Sequence, residues 1–297
     1  MYKESIIFVT GSKSSIPFIL EAKSQGYETI VFDINSNSPC RLYADIFEAI
    51  SILDIDAIIQ KLDRLNLSHS FKGVMTYSSL PGALTSVSSI AKKYKLISYS
   101  KESIEITYDK GLLNQALLDS NCKIPLTFTN FDKSFLDKLD EKLPLVIKLK
   151  AGIGSFGTQI IKNRENLIEL LKTIDPEHYV LQEYVDGKLY HIDGYINNGK
   201  IELITFLQKN VKLYKSIPLT SSFSEAPQEI IEHPKVSFLK SSINNFINLT
   251  GMNNNFFGAD FIYDPSKEDF FLIEIGYLLD VKIDRLLFHS GITVSAS

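Results

Sequence analysis

Residues 144–161 read P-L-V-I-K-L-K-A-G-I-G-S-F-G-T-Q-I-I, and this stretch decides how the second half of the chain is interpreted. Two β-rich runs, Leu145–Leu149 and Thr158–Ile161, enclose the glycine pattern Gly152–Gly157. Because a strand pattern follows the last glycine, the stretch predicts a strand–loop–strand flap. Glycine lets the backbone N–H groups of such a flap approach phosphate oxygens closely. Lys148, near the end of the first strand, adds a cationic charge that can reach the same phosphates.

Three other kinds of structure contain a similar glycine pattern, and the sequence supports each of them less well than the flap. In a dinucleotide-binding fold, the glycine loop opens directly into a helix, which this sequence does not predict. In a protein kinase, the lysine follows the loop, and this chain has no HRD or DFG motif. A tight surface hairpin that needs glycine only for its backbone remains open.

The first hundred residues alternate strand and helix patterns. Ser5–Val9 and Glu28–Phe32 are apolar, strand-like runs, and Ile16–Ser24 between them has helical spacing. This βαβ order favours a parallel sheet. Further elements are predicted at Ile55–Leu65 (helix), Gly73–Thr76 (strand) and Pro81–Tyr94 (helix). The sequence therefore predicts a small α/β domain over residues 1–100.

A cofactor role for this domain has little support. Asp33 follows Gly11 at about the 20-residue distance of a ribose-binding acid in dinucleotide folds. The turn at Gly11, however, has one glycine where the pyrophosphate cradle needs three. We therefore favour a nucleotide-free α/β domain that lines one side of a substrate cleft.

The second half of the chain mixes helices with hairpins, which indicates an α+β fold. Asn197-Asn198-Gly199 is a strong hairpin signal, and Asp264–Lys267 is a second predicted turn. Helices are predicted at Asp109–Ser120, Arg164–Ile174 and Phe238–Leu249. Strands are predicted at Tyr179–Tyr184, Tyr190–Ile196, Lys200–Phe206, Phe257–Ile262 and Phe270–Ile275.

Composition narrows the class of protein. The chain has 297 residues, 44% of them hydrophobic, which is enough for two compact units. A net charge of −4 gives no reason to expect nucleic acid or an anionic membrane as a partner. Cys40 and Cys122 lie far apart in no metal spacing, which suits a reducing compartment. With no signal-peptide pattern and no run of about 18 apolar residues, we expect a cytoplasmic protein.

Several short motifs follow one another in the second half of the chain. They are Asp109-Lys110, Pro144–Lys148 with the glycine loop, Gln182–Gly187, Tyr190–Gly194, Gly258–Phe261 and Leu272–Gly276. In this order and spacing, the set resembles the ATP-grasp superfamily, most closely its branch of carboxylate–amine and L-amino-acid ligases. The resemblance implies a parallel α/β (pre-ATP-grasp) domain over 1–100 and an ATP-grasp domain of two α+β subdomains over 101–297. The glycine flap would lie in 101–183 and the metal site in 184–297.

The resemblance also implies an ATP site. Lys110 and Lys148 would neutralise the α- and β-phosphates. Glu183 would accept a hydrogen bond from the adenine amine. The alternative for Glu183 is an ordinary exposed acid on a strand. The ribose-binding glutamate of the family falls at Leu189, so Asp193 becomes the candidate for that contact. The implied ATP-binding residues are Lys110, Lys148, Gly152, Gly154, Ser155, Phe156, Gly157, Gln182, Glu183, Tyr184, Val185 and Asp193.

A metal site is implied at the other end of the nucleotide. Asp260 and Glu274 would face each other on paired strands and hold Mg²⁺, with Mn²⁺ as an alternative, because hard oxygen ligands suit these ions. The apolar flank of Glu274, Phe270–Ile273, predicts that Glu274 is buried. Two unrelated surface acids are the alternative. The only histidine inside a motif is His191, which either packs in a strand or faces substrate.

The chain departs from the family pattern after Glu274. Gly276 stands where the family has a metal-binding Asn, and Leu278 where it has an Arg that steadies the acyl phosphate. Arg285 and Lys209 are the candidate catalytic cations in place of that Arg, with Lys212 and Lys215 as further candidates. The stretch 203–216 is where the family often carries a mobile lysine loop.

The resemblance implies a ligase that activates a carboxylate as an acyl phosphate and joins it to an amine. Its partners would be small-molecule carboxylate and amine substrates, with ATP and Mg²⁺ as cofactors, and a homodimer is left open. A relative that binds ATP with lost or altered ligase activity is the alternative. A plain α/β binding module without nucleotide would require every motif to be accidental.

Overall fold

The structure is a computed structural model that describes residues 2–78, 80–131, 133–152, 157–197, 200–252 and 256–277. These residues form two compact units, one reaching Ile104 and the other spanning Glu105–Tyr277. Within the described ranges, no helix is both long and apolar enough to cross a membrane.

The first unit contains a parallel sheet in the strand order β3-β2-β1-β4. Its strands are β1 (Lys3–Val9), β2 (Glu28–Phe32), β3 (Ile46–Glu48) and β4 (His69–Met75). Its helices are α1 (Ile16–Ser24), α2 (Ile55–Leu65) and α3 (Pro81–Tyr94), with short 3-10 turns at Lys13–Ser15 and Pro39–Leu42. The predicted parallel α/β class is confirmed, because helices connect strands that run in the same direction.

The carboxylate of Asp33 is engaged by the backbone at the end of β2. Its Oδ2 accepts a hydrogen bond from the N–H of Gly11 (2.7 Å), and its Oδ1 accepts one from the N–H of Asn35 (2.8 Å). This acid therefore ties two loops together.

In the second unit, the first sheet is antiparallel, with the strand order β5-β8-β6-β7. Its strands are β5 (Thr127–Phe128), β6 (Leu145–Leu149), β7 (Gln159–Ile161) and β8 (Tyr179–Glu183). The helices in this part of the chain are α4 (Lys101–Tyr108), α5 (Lys110–Asp119), α6 (Lys133–Asp137) and α7 (Arg164–Leu171), with 3-10 turns at Leu139–Glu141 and Pro176–His178. Leu145 and Ile147 point into a core with Leu181, so strand alternation places Lys148 on the other face.

The second sheet of this unit is also antiparallel, with the order β11-β10-β9-β12-β13. Its strands are β9 (Lys188–Asn197), β10 (Lys200–Tyr214), β11 (Ile217–Glu225), β12 (Phe256–Asp264) and β13 (Asp269–Gly276). Helices α8 (Gln228–Ile231) and α9 (Val236–Thr250) follow β11. One face carries an aromatic core in which the Tyr190 ring stacks on Phe261 at 5.7 Å. Residues that alternate with these two, including His191 and Asp260, face the other way.

The stretch 203–216, where the family often carries a mobile lysine loop, is a strand as far as Tyr214 in this structure. β10 continues to Tyr214 and pairs with β9 on one side and β11 on the other. Lys215 and Ser216 form the turn, with φ values of 47° and 66°. At this tip, the N–H of Ile160 donates to the carbonyl oxygen of Ser216 (2.9 Å), which joins the hairpin to β7. Hydrogen bonds from both neighbouring strands therefore stabilise β10 over this stretch.

Gly187 is a packing requirement in the turn before β9. A Cβ at this position would lie 2.1 Å from the carbonyl oxygen of Tyr263 and 2.7 Å from the Ile262 side chain. We expect Gly187→Ala to lower the free energy of unfolding by about 2–3 kcal/mol, measured by chemical denaturation, because the backbone must move. Gly276→Ala is the matched control, since a Cβ there meets no described atom within 4 Å. Equal losses in the two variants would contradict this packing argument.

Candidate functional site

Lys148 begins a chain of hydrogen bonds on the open face of β6. Its Nζ donates to Oε1 of Gln182 (2.7 Å), and Nε2 of Gln182 donates to Oγ1 of Thr127 (3.0 Å). The three residues come from the paired strands β6, β8 and β5, so the sheet register aligns them. The position of the Lys148 ammonium is therefore set by a neutral amide, which leaves its charge available to an anionic ligand.

Three charged side chains of the second unit act on the charge of Lys148. Burial is the main cause that lowers the pKa of Lys148 to about 8, and the positive charge of Lys110 acts in the same direction. The carboxylates of Glu274 and Asp260 oppose this shift. Because such effects weaken quickly with distance, the two lysines and the two acids lie in one electrostatic neighbourhood. The structure thus brings together residues that are more than 100 positions apart in the sequence.

Lys110 is held at the start of α5. Asp109 caps this helix, and its Oδ1 accepts hydrogen bonds from two backbone N–H groups of the first turn (2.7 and 3.0 Å). The N–H of Lys110 donates to the carbonyl oxygen of Lys150 (2.8 Å), and its Nζ donates to that of Gly152 (2.9 Å). The cap therefore places the Lys110 ammonium against the first residue of the glycine loop.

The ends of the glycine loop are described, and its centre is not. Gly157 has a φ of 70°, and a Cβ there would lie 2.8 Å from Cγ of Leu149, so both conformation and space favour glycine. Gly154, Ser155 and Phe156, which were predicted to contact phosphate, lie outside the described residues. Their predicted role stays a prediction.

Within the segment 182–185, the side chains of Gln182 and Glu183 point to opposite faces of their sheet. Gln182 is buried on the Lys148 face, whereas Glu183 points the other way, where it accepts from the N–H of Leu126 and pairs with Lys267 (both 3.3 Å). Tyr184 donates its N–H to the carbonyl oxygen of Pro144 (3.2 Å), and Val185 is buried. Strand alternation thus places Gln182 beside Lys148, and the predicted adenine contact of Glu183 stays a prediction.

A buried polar network lies on the open face of the second sheet. Nδ1 of His191 contacts Oδ1 of Asp260 (2.5 Å), and Nε2 of His191 contacts Oδ1 of Asp193 (2.9 Å). Lys209 Nζ lies 2.8 Å and 2.9 Å from the two carboxylate oxygens of Asp260. Thr205 Oγ1 donates to Oδ2 of Asp193 (2.6 Å). The four charged groups therefore form two acid–base pairs within one connected network.

The charges of this network stabilise one another. Burial lowers the pKa of His191, but the hydrogen bonds to Asp193 and Asp260 outweigh burial and raise it to about 9. Burial raises the pKa of Asp260, but His191 and Lys209 outweigh it and lower the value to about 2. At neutral pH, the network thus consists of an imidazolium, an ammonium and two carboxylates.

The geometry of Asp193 argues against its predicted contact with ribose. Its side chain is 0% exposed, and both carboxylate oxygens already accept hydrogen bonds from His191 and Thr205. Asp193 acts as an internal anchor of the sheet face. Because residues two positions apart on a strand share a face, the pattern of a histidine and an aspartate at this spacing is the sequence feature that could have indicated this network.

The prediction that Glu274 is buried was wrong. Its predicted pairing with Asp260 across β12 and β13 is present in the sheet register, but the Glu274 side chain is exposed. β13 is the edge strand of its sheet, so its apolar neighbours face the core while Glu274 faces the open side. Glu274 makes no hydrogen bond or ion pair with any residue in the described ranges.

The side chains around Asp260 do not fit a metal ion shared by two protein carboxylates. Both oxygens of Asp260 already contact cationic groups, so among the acids of the site in the described ranges Glu274 is the one with a free carboxylate. Gly276 and its cross-strand partner Gly258 contribute no side-chain donor. Among the described residues, no group of three or more His, Cys, Asp or Glu side chains is placed to hold a metal.

The candidate cations have different positions. Lys209 contacts Asp260, while Lys212 is exposed further along β10 and Lys215 lies in the turn at its tip. Arg285, like Leu278, lies outside the described residues. Of the candidates in the described part of the chain, Lys209 is therefore the one at the predicted metal site, and its catalytic role stays a prediction.

Sequence comparison agrees with this geometry. Residues 107–276 match the ATP-grasp domain family. An N5-carboxyaminoimidazole ribonucleotide synthase of Staphylococcus epidermidis is 27% identical over 169 residues, which cover 56% of this chain and 43% of that enzyme. The aligned segment thus spans less than half the length of this curated relative.

Solved structures share the fold. N5-carboxyaminoimidazole synthetase from Staphylococcus aureus, complexed with ADP, superposes with a TM-score of 0.71 at 18% identity, covering 94% of this chain and 71% of that one. L-amino acid ligase from Bacillus licheniformis superposes with a TM-score of 0.72 at 17% identity, covering 97% of this chain and 70% of that one. The similarity predicted from the ordered motifs is confirmed, and the chain belongs to the ATP-grasp family.

Proposed function

We propose that this chain is an ATP-dependent ligase that activates a carboxylate as an acyl phosphate and joins it to an amine. The observation that carries the proposal is the convergence of Lys110 and Lys148 with Glu274 and Asp260 in one electrostatic neighbourhood. Two cations suit the phosphates of a nucleotide, and the carboxylate of Glu274 suits the magnesium that accompanies them. The ADP bound to the Staphylococcus aureus relative supports ATP as the nucleotide.

The proposed reaction has two steps. A carboxylate oxygen attacks the γ-phosphorus of ATP, the bond to the β-phosphate oxygen breaks, and ADP leaves. The amine then attacks the carbonyl carbon of the acyl phosphate, phosphate departs with the bonding electrons, and the amine loses a proton. Neither step requires a protein nucleophile, so positioning and charge stabilisation supply the catalysis.

The described side chains of the site have separate roles in the proposed reaction. Lys148 and Lys110 neutralise phosphate charge beside the glycine loop, and Gln182 presents its amide on the same face as Lys148. Lys209 stands at Asp260, where it can meet the transferred phosphoryl group. Magnesium would accompany the ATP phosphates, with Glu274 as the available protein carboxylate.

The domain assignment and the partners are part of the proposal. Residues 1–100 would form the pre-ATP-grasp domain and residues 101–297 the ATP-grasp domain, divided at residues 183 and 184. The acid and the amine would be small molecules, in keeping with the amino acid ligase of similar fold. Because the aligned segment covers 43% of the curated relative, the particular substrates remain to be identified by screening.

Nucleotide binding is tested by thermal shift. We expect ATP with Mg²⁺ to raise the melting temperature of the full chain in a concentration-dependent way, because a ligand that binds only the folded state stabilises it. ADP should also raise it, and adenosine should raise it less because it lacks the phosphates that the lysines bind. No shift at millimolar ATP would refute the nucleotide site.

A nucleotide-binding protein without ligase activity is the second candidate. The observation that favours it is the pairing of Asp260 with Lys209 and His191, together with Gly276 in place of a metal-binding Asn. Release of ADP and phosphate during a screen of amino acids and other carboxylates separates the two functions. ATP binding without turnover on any carboxylate would favour the second.

A further inference from the structure

The contacts around Asp260 show a carboxylate that is paired with an ammonium group, which differs from the surroundings of a metal ligand. The ammonium of Lys209 lies within 2.9 Å of both carboxylate oxygens, in a two-pronged contact. Oδ1 of Asp260 also accepts from His191. A divalent cation at Asp260 would therefore have to displace an ammonium group that already neutralises the carboxylate.

Lys209 is held in this position by its surroundings. Its side chain is 10% exposed, and its Nζ lies 5.7 Å from the centre of the Phe223 ring, which belongs to the paired residue on β11. Such cation–π contact stabilises the ammonium on the side away from Asp260. Burial between an aromatic ring and a carboxylate makes withdrawal of Lys209 costly.

His191 adds a further contact to Asp260. Its Nδ1 contacts Oδ1 of Asp260, and its Nε2 contacts Oδ1 of Asp193. Together, Lys209 and His191 leave neither oxygen of Asp260 without a contact, so a divalent cation would have to displace one of them.

We propose that Lys209 takes the place of a protein-held divalent cation at Asp260, so that this chain needs only the magnesium that accompanies ATP. This inference rests on the proposed function, since it concerns the same nucleotide site. Glu274 remains the one free carboxylate among the described acids of the site, and it can contact that single ion. The absence of a side-chain donor at Gly276 fits the same arrangement.

The first test varies the magnesium concentration in calorimetric titrations of the protein with ATP. For the unmodified protein, we expect the affinity for ATP, measured by isothermal titration calorimetry, to reach its full value when magnesium equals ATP. A further excess of free magnesium should change it little. An increase of about tenfold on adding that excess would show a second, coupled ion and would overturn the inference.

The second test removes the ammonium. Lys209→Met exposes the charge of Asp260, so we expect the affinity of this variant for ATP to gain about tenfold from excess magnesium. Lys200→Met is the matched control, because Lys200 is exposed on the same strand and should behave as the unmodified protein. A Lys209→Met variant whose affinity stays independent of free magnesium would contradict the proposal.

The third test uses Mn²⁺ alone and needs no nucleotide. Electron paramagnetic resonance should detect no bound Mn²⁺ at submillimolar concentrations in the unmodified protein and one bound ion in Lys209→Met. Binding by the unmodified protein would overturn the inference even if ATP does not bind. If Lys209→Met does not fold, the magnesium and Mn²⁺ measurements on the unmodified protein decide the question. Failure to bind ATP at any magnesium concentration would refute the proposed function instead.

Discussion

Lys148→Ala is expected to abolish ATP binding and any ADP release. The Lys148 ammonium lies where burial lowers its pKa to about 8, so an anionic ligand that approaches it gains a poorly hydrated, strongly interacting partner. Loss of a buried charge-assisted contact costs about 2–5 kcal/mol, or roughly 30- to 5,000-fold in affinity. Calorimetry with ATP and magnesium measures the binding loss directly.

The matched control for this variant is Lys172→Ala. Lys172 is 65% exposed and pairs with Glu169 across one turn, so ATP should bind the control as it binds the unmodified protein. Circular dichroism and the melting temperature of Lys148→Ala without nucleotide check that its fold is intact. Unchanged ATP affinity in a folded Lys148→Ala protein would show that the flap does not bind phosphate.

Asp260→Asn is expected to destabilise the protein by about 3 kcal/mol at neutral pH, because it removes the charged carboxylate that both Lys209 and His191 contact. Chemical denaturation measures this loss. Asp140→Asn is the matched control, since Asp140 is 69% exposed and its contact with Arg164 (3.3 Å) is a surface ion pair worth less than about 1 kcal/mol. A loss no larger than that of the control would mean that the network contributes little to stability.

Asp260→Asn also tests how the stability of the protein depends on pH. The pKa of His191 is raised from 6.5 to about 9, so its stabilising contribution is complete below pH 6.5 and is lost as the pH rises through 9. The pKa of Asp260 is lowered from 3.8 to about 2, so its contribution is present above pH 3.8 and is lost as the pH falls towards 2. Because Asp260→Asn removes one of the two acids that raise the His191 pKa, the variant should lose less stability than the unmodified protein between pH 6.5 and pH 9. A parallel decline in both proteins would contradict this assignment.

Elements with strong local patterns were predictable from the sequence. The bounds of α1, α3 and β6 agree with the predicted Ile16–Ser24, Pro81–Tyr94 and Leu145–Leu149. Their apolar spacing and flanking turn residues act within the segment itself, so no distant contact is needed to specify them. The ordered motifs likewise led to the family that the match over residues 107–276 confirms.

Elements stabilised by their neighbours were not predictable in the same way. β11 has an ordinary polar composition and becomes a strand because β10 supplies its hydrogen bonds. The exposure of Glu274 depends on β13 being the edge of its sheet, which the apolar sequence around it does not reveal. Pairing across a sheet, and not propensity, decides such features.

By itself, the sequence determined the family, the flap around Lys148 and the set of cations and acids available to the site. Only the tertiary structure decided that Lys209 contacts Asp260, that Gln182 shares the face of Lys148, and that His191 bridges two acids. His191 and Asp260 are 69 residues apart and meet because β9 and β12 pair in a particular register. That register depends on hydrogen bonds between distant strands, and a shift of one residue would turn each of these side chains to the opposite face.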